Sequence, residues 1–178
     1  MKKTLSALMV AVSAVAMSAN ANALEYNPYA GAEYTYSLLA GQSANFNSGK
    51  VFVGSQYNEN FGVEAFYQMS TSDKKAGRKT SYEAYGLDLM GYLPLGCDQV
   101  VSLIGTAGLG YYDFQAKYHG FKTENDGTWG YRLGAGAEYN IDENVAVRAL
   151  ARWVKLDQRP FDSANDLWEY SIGAKYNF

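Results

Sequence analysis

The sequence predicts an all-β fold, an eight-stranded antiparallel up-and-down transmembrane β-barrel. Apolar and polar residues alternate with period two along eight separate segments, which is the pattern of strands that have one apolar face. The connections between these segments alternate between long and short, as they do in barrels whose long loops all lie on one side of a membrane. Tyrosine and glycine are abundant, with 16 and 18 residues, whereas proline, which interrupts strands, has only 3.

The first 23 residues predict a secretory signal peptide. Lys2 and Lys3 precede a run of small apolar residues, and an Ala-Asn-Ala motif ending at Ala23 supplies a cleavage site. A membrane anchor is the alternative, but the run is too short and too rich in alanine and serine for a helical span. The predicted domains are therefore residues 1–23, which are removed on export, and residues 24–178, which form the barrel.

Composition limits the function classes. The formal net charge is −3 and becomes more negative when Lys2 and Lys3 are removed, which argues against a nucleic-acid binder. Cys97 is the single cysteine, so this exported chain has no intramolecular disulfide. Residues 24–178 contain no apolar run near the ~20 residues of a helical span. Either the protein is soluble in the periplasm or it crosses a membrane as a barrel.

The alternation fixes the predicted strands in order along the chain. They lie near residues 29–38, 50–57, 61–69, 81–92, 100–112, 128–139, 145–153 and 168–178. In each strand the apolar face carries alanine, aliphatic and aromatic residues, and the other face carries glycine and polar residues. Phe66, Ile104 and Tyr112 are exceptions, because they fall on polar faces.

The connections are predicted from their polarity. Residues 40–49, 70–80, 113–126 and 156–166 are predicted to be long loops, and residues 58–60, 93–98 and 140–144 are predicted to be short turns. Long loops of a membrane barrel face the outside of the cell and short turns face the periplasm. Both termini of the barrel then lie on the periplasmic side.

The positions of aromatic residues decide which face looks outward. A soluble lipocalin-like barrel would point its apolar face inward, whereas a membrane barrel points that face at lipid. Trp129, Trp153 and Trp168 all fall at the predicted extracellular edge. Other aromatic residues gather at the opposite edge, namely Tyr57, Phe61, Tyr139, Tyr176 and Phe178. Two aromatic belts around an aliphatic middle favour the membrane barrel.

The polar face then lines a lumen that holds many charges. Five acids and four bases are predicted there: Glu33, Glu64, Asp88, Glu138, Glu169, Arg132, Arg148, Arg152 and Lys175. Buried charges are costly unless they pair, so we expect a network of ion pairs, with Arg152 facing Glu169. The network is either interior packing alone or a small gated water path.

The final strand carries a further signal. Tyr170, Ile172, Tyr176 and Phe178 share its apolar face. This ending, together with the signal peptide, the eight strands and the charged interior, resembles the OmpA-type transmembrane domain and the related OmpX/Ail-type small barrels. The resemblance implies an outer-membrane location in a Gram-negative bacterium and recognition of the final strand by the outer-membrane assembly machinery. OmpA-type proteins continue into a peptidoglycan-binding domain, and peptidoglycan binding is not inferred for this sequence, which ends at Phe178.

The same resemblance implies a structural, surface-adhesion, serum-resistance or envelope-integrity role through extracellular loops. Expected partners are outer-membrane lipid, lipopolysaccharide and host surface molecules. The basic residues of the second long loop are candidate contacts for lipopolysaccharide phosphates or acidic glycans, although a solvated loop would have the same composition: Lys74, Lys75, Arg78 and Lys79.

Catalysis is considered because some eight-stranded barrels modify lipid A. The only histidine is His119, and no serine stands in a recognisable spacing to it. No cluster of residues has metal-ligand spacing. The sequence therefore predicts no catalytic site, metal or cofactor. A lipid A-modifying enzyme and a soluble periplasmic ligand-binding barrel remain the alternative functions.

Overall fold

The structure is a computed structural model that describes residues 27–39, 45–71, 73–75, 78–96, 100–118, 125–157 and 166–178. The described residues form β1 (Asn27–Leu39), β2 (Asn45–Asn58), β3 (Phe61–Ser70), β4 (Asp73–Lys75), β5 (Arg78–Leu95), β6 (Val101–Tyr118), β7 (Asn125–Asn140), β8 (Val145–Leu156) and β9 (Asp166–Asn177). Among them is no helix of the length and hydropathy that a membrane crossing requires. The predicted signal peptide, residues 1–23, lies outside the described residues.

The strands form one closed antiparallel sheet. Each strand pairs with its sequence neighbour, except that β3 pairs with β5 and not with β4. The strand β1 also pairs with β9, from Tyr29 opposite Asn177 to Leu39 opposite Leu167. The segments β3 and β4 both pair with β5, so together they occupy one position in the ring. The predicted eight-stranded antiparallel barrel is therefore confirmed. Closure leaves no strand edge whose backbone groups would be unsatisfied in lipid.

Apolar side chains cover the outside of the barrel and charged ones fill the inside. On β9, Ile172 is 63% exposed, whereas Glu169 is completely buried. The same inversion runs along β7, where Leu133 is exposed next to the buried Arg132. This is the arrangement of a barrel in lipid, and it is opposite to that of a soluble barrel.

Several strands are longer than predicted. Residues 45–49, 73–75, 78–80, 113–118 and 125–126, predicted as loops, belong to strands, and so do residues 93–95, predicted as a turn. These predictions were wrong because they relied on apolar alternation. A strand that continues beyond the lipid has water on its outer side, so its ladder hydrogen bonds persist without an outward-facing apolar row.

The three exceptions named from the sequence point into the barrel, as do further apolar residues on the polar faces, such as Met90 and Leu150. Phe66, Ile104 and Tyr112 are at most 2% exposed and belong to interior clusters with other aromatic and aliphatic side chains. Their positions on the polar faces therefore reflect a mixed interior. A small barrel has to fill its interior with side chains, and charged residues alone do not fill it.

Glycine is required where large interior side chains approach a neighbouring strand. A Cβ atom on Gly108 would lie 2.1 Å from Oδ1 of Asp88, and one on Gly136 would lie 2.0 Å from the carbonyl oxygen of Ala149. Real Cβ atoms do not approach other atoms so closely. These glycines let the lumen hold long charged and aliphatic side chains within a narrow ring.

Candidate functional site

The interior of the barrel holds the densest set of charged groups in the described part of the chain. All nine predicted lumen residues are buried there, each at most 4% exposed. Lys50, at 1% exposed, joins them and was missed, because it stands at the predicted start of the second strand and was not assigned to a face. With Lys50, five acidic and five basic side chains lie together, so the interior charge is balanced.

Arg148 is the centre of the largest cluster. Its Nε donates to Oε1 of Glu33 at 2.6 Å, and its two terminal nitrogens donate to Glu64 at 2.7 and 3.0 Å. Lys50 lies 2.8 Å from Glu33 and 3.5 Å from Glu64. Arg152 adds a contact to Glu33 at 3.3 Å. Two carboxylates are thus shared among three bases, which offsets the cost of removing each charge from water.

A second cluster lies between the first one and the extracellular end. The strand register places Arg152 opposite Glu169, as expected. The ion pair of Glu169 in the described structure is nevertheless with Arg132, at 3.3 Å, while Arg152 donates to Ser171 at 2.9 Å. The expected side-chain pairing of Arg152 with Glu169 is therefore wrong. Long side chains reach diagonally across a narrow lumen, so facing positions do not determine which groups pair.

Arg132 also approaches Asp88, with its Nε 3.3 Å from Oδ1. Gln68 connects this cluster to the aromatic end of the lumen, since its amide nitrogen donates to Glu169 at 3.2 Å and to the Tyr82 hydroxyl at 2.7 Å. Polar contacts therefore continue from strand to strand across the whole width of the lumen.

Aromatic rings cover the flat faces of two guanidinium groups. The guanidinium carbon of Arg132 lies 3.8 Å from the ring centre of Phe66, and that of Arg148 lies 3.8 Å from the ring centre of Phe52. A cation above an aromatic face is attracted to it, and the attraction is larger when water is excluded. Phe52 and Phe66 therefore support the charge network and also fill space.

The extracellular half of the lumen is closed by aromatic side chains. The ring of Tyr82 lies 5.6 Å from that of Phe46 and 5.5 Å from that of Phe114. Tyr112 joins the same buried cluster, and the Tyr82 hydroxyl is 2.8 Å from the Ser37 hydroxyl oxygen. These side chains form a plug above the ion pairs.

The periplasmic end is open. A cavity of about 580 Å³ is lined there by the turn of residues 141–144 and by Tyr92, Glu138 and Lys175. Lys175 contacts Glu138 at 2.5 Å, and its ammonium group lies 4.9 Å from the ring centre of Tyr29. This buried ion pair separates the cavity from the clusters above it.

The residues of the predicted assembly signal form an outward-facing row on β9. Tyr170, Ile172, Tyr176 and Phe178 are all between 47% and 75% exposed. The Phe178 nitrogen donates to the Pro28 carbonyl at 3.0 Å, so the end of the chain is attached to β1. The row is therefore accessible from outside the barrel along its full length.

The predicted belts are found at the two ends of this surface. Trp129 and Trp168 are 58% and 45% exposed at one end. At the other end the rings of Tyr57 and Phe61 lie 6.5 Å apart, and those of Tyr176 and Phe178 lie 5.4 Å apart. Amphipathic rings at two levels mark the borders of a lipid layer.

The basic residues of the second predicted loop fall on β4 and β5. Lys74 is opposite Lys79, and Lys75 is opposite Arg78. Their side chains lie outside the described residues, as do Cys97 and His119. In the part of the chain that is described, no three His, Cys, Asp or Glu side chains are grouped to hold a metal ion.

Residues 7–178 match the family of the outer membrane protein beta-barrel domain. The chain belongs to this family. It is therefore an outer-membrane barrel, located in the outer membrane of a Gram-negative bacterium, and its fold is like that of the small OmpX/Ail-type barrels.

Solved structures show the same fold in other small barrels. Neisserial surface protein A superposes with a TM-score of 0.71 at 17% identity, over 86% of this chain and 97% of that one. The attachment invasion locus protein Ail of Yersinia pestis gives 0.61 at 18% identity, over 87% and 99%. OprG from Pseudomonas aeruginosa gives 0.57 at 14% identity, over 87% and 97%. A comparison with curated protein sequences gave no match.

Proposed function

We propose that this outer-membrane barrel is a closed, non-enzymatic scaffold that presents an adhesive surface outside the cell. The observation that carries the proposal is the extension of β5, β6 and β7 beyond the tryptophan belt. Tyr111 on β6 is paired with Trp129, and β6 continues for seven more residues to Tyr118. At a rise of ~3.3 Å per residue and a strand tilt of ~40°, the sheet stands about 18 Å above the belt.

The interior supports a scaffold function over that of a pore. Ion pairs occupy the middle of the lumen and the plug of Phe46, Tyr82, Tyr112 and Phe114 occupies its extracellular half. Side chains that are packed and hydrogen-bonded across the lumen leave the outer surface and the extended sheet as the parts available to partners. Residues 1–23 are proposed to direct export and to be removed.

The backbone register indicates which ligands the extended sheet suits. Lys74, Lys79 and Lys117 stand directly opposite one another on β4, β5 and β6. Like charges at directly opposite positions destabilise a sheet, and a bound polyanion would relieve that repulsion. We infer that the ligand is a sulfated or phosphorylated polysaccharide. The structure of Ail with the heparin analogue sucrose octasulfate shows that another barrel of this fold accepts such an anion.

Binding of the purified, refolded protein to immobilised heparin tests the proposal. Exchange of Lys74, Lys79 and Lys117 for Gln should abolish the binding, and added salt should weaken the wild-type interaction. Lys155→Gln is the matched control, because Lys155 is an exposed lysine that pairs with Asp166 at 3.5 Å on other strands. Binding by the triple variant at wild-type strength would refute the proposed surface.

The non-enzymatic part of the proposal needs a separate assay. Lipid A is extracted from cells that express the wild-type protein and from cells that express His119→Ala, and both extracts are examined by mass spectrometry. The proposal expects identical lipid A. A modification that depends on His119 would show that the barrel is an enzyme.

A further inference from the structure

A groove of about 520 Å³ lies on the lipid-facing surface of the barrel. Its floor is made by the outward-facing side of β7 and β8. On this floor Ala135 is directly opposite Ala151, and Ala149 stands two residues before Ala151 on β8. One wall is made by the larger side chains of β1 and β9, namely Tyr34, Tyr36, Tyr170 and Ile172.

The groove is concave because alanine lies beside much larger side chains. Ile172 and Tyr34 are 63% and 56% exposed and stand above the level of the alanine floor. The described part of the barrel contains other lipid-facing alanines, such as Ala107, that do not line this groove. The depression is therefore a local feature of the surface.

The position of the groove within the membrane can be derived from the spacing of residues along β9. Ten residues separate Trp168 from Phe178, which corresponds to about 25 Å along the barrel axis and matches the apolar band of outer-membrane barrels. Tyr170 lies two residues from Trp168, about 5 Å inside the extracellular edge of that band. The groove therefore begins just below the headgroups of the outer leaflet.

Two hydroxyl groups stand at this end of the groove without an acceptor. Tyr36 and Tyr170 are directly opposite each other, and neither hydroxyl has a hydrogen-bond partner among the described residues. The Tyr34 hydroxyl, by contrast, donates to Asn47 at 2.7 Å. A hydroxyl without a partner is costly in lipid. The groove therefore suits a ligand that is apolar along its length and carries a hydrogen-bond acceptor at its upper end.

We propose that the groove binds an acyl chain of lipopolysaccharide. The acyl chain lies over Ala135, Ala149 and Ala151. The ester or amide carbonyl at the head of the acyl chain accepts a hydrogen bond from Tyr36 or Tyr170. Acyl carbonyls lie just below the headgroups, near the level at which Tyr36 and Tyr170 stand on their strands. Lipopolysaccharide occupies the outer leaflet of the outer membrane, where the groove begins, so it is favoured over phospholipid. This site is separate from the proposed polyanion surface on β4, β5 and β6.

The full chain, extracted from outer membranes in a mild detergent, provides the test. Native mass spectrometry counts the lipopolysaccharide and phospholipid molecules that stay bound. The variant Ala149→Leu with Ala151→Leu fills the floor, and the variant Tyr36→Phe with Tyr170→Phe removes only the hydroxyl groups. Ala107→Leu is the matched control, because it adds the same bulk to the lipid face outside the groove. Heat-modifiable mobility on gels verifies that each variant is folded.

The wild-type protein and the control should retain lipopolysaccharide, and the floor variant should lose it. The tyrosine variant should retain it about tenfold less, because each hydrogen bond within a membrane contributes only modestly. If the floor variant does not fold, the isosteric tyrosine variant decides the question. Unchanged retention by a folded floor variant or by the tyrosine variant would overturn the proposal. Retention of phospholipid alone, or a wild-type dimer that the floor variant dissociates, would also overturn it.

Discussion

Replacing Arg148 should disrupt the charge network at its centre and destabilise the folded barrel. The change Arg148→Met removes a guanidinium that donates three hydrogen bonds, of 2.6, 2.7 and 3.0 Å, to Glu33 and Glu64. Methionine keeps an apolar stem against Phe52, so the main loss is electrostatic. Lys50 then remains as the ion-pair partner of Glu64, at 3.5 Å. The buried carboxylate of Glu64 has then lost its two hydrogen bonds from Arg148.

The expected loss in the free energy of unfolding is about 3–5 kcal/mol, the usual effect of removing one member of a buried ion pair. Glu64→Gln in the same chain should restore part of this, because the interior charge is again balanced. The coupling between the two changes should reach about 2–3 kcal/mol, as for residues in one network. Lys155→Met, which breaks an exposed pair, should cost at most about 1 kcal/mol.

Reversible urea unfolding in lipid vesicles measures these energies. The fluorescence of Trp129 and Trp168, which face the lipid, reports the folded fraction. The reasoning would be refuted if Arg148→Met unfolded within 1 kcal/mol of the wild type, or if the two changes were additive. Either result would mean that water reaches these groups and screens their charges.

Three further predictions use the same preparations. Gly136→Ala should destabilise the barrel by about 1–3 kcal/mol, because the added Cβ would lie 2.0 Å from a backbone oxygen. Gly105→Ala should be neutral, because nothing lies within 4 Å of its added Cβ. Equal urea midpoints for the two variants would contradict this prediction. Glu169→Gln should lower the temperature at which gel mobility changes, and an unchanged temperature would show that its ion pair is unimportant. Deletion of Phe178 should reduce the amount of protein at the cell surface by impairing assembly, and normal surface levels would argue against an assembly signal.

The barrel was predictable because the lipid imposes a simple rule on its outer face. On β9, Trp168, Tyr170, Ile172 and Tyr176 all point outward, and in lipid each such position has to be apolar or aromatic. The interior follows no comparable rule. It accepts Glu64 beside Phe66 on one strand, provided that charges pair and volume is filled.

The pairings inside the lumen could not be predicted for the same reason. The register places Arg152 opposite Glu169, yet Glu169 forms its ion pair with Arg132, and Arg152 contacts Glu33 and Ser171. The register describes backbones, whereas an arginine side chain extends across the lumen to another strand. Which carboxylate it meets depends on the curvature and the packing of the whole ring.

Strand ends were the least predictable part of the fold. The sequence from Asp113 to Tyr118 reverses the alternation, since the apolar Phe114 is buried in the lumen and not exposed to lipid, and the segment is paired with β5 along its length. Outside the membrane a strand is held by hydrogen bonds to the neighbouring strands. The hydropathy of its sequence carries no information about those bonds. The extended sheet on which the proposed function depends was therefore visible only in the structure.

The ion pairs that cross from β8 to β1 have a consequence for the order of folding. Arg148 and Glu33 are 115 residues apart, and they meet only when β9 has paired with β1. Contacts between such distant residues form slowly, because a long loop has to close first. Until then the charged groups need water, so the nascent barrel has to stay hydrated inside. The pairing of β9 with β1 and the loss of water from the interior then occur together. A barrel that is not yet closed has a hydrated, charged interior, which opposes its insertion into lipid.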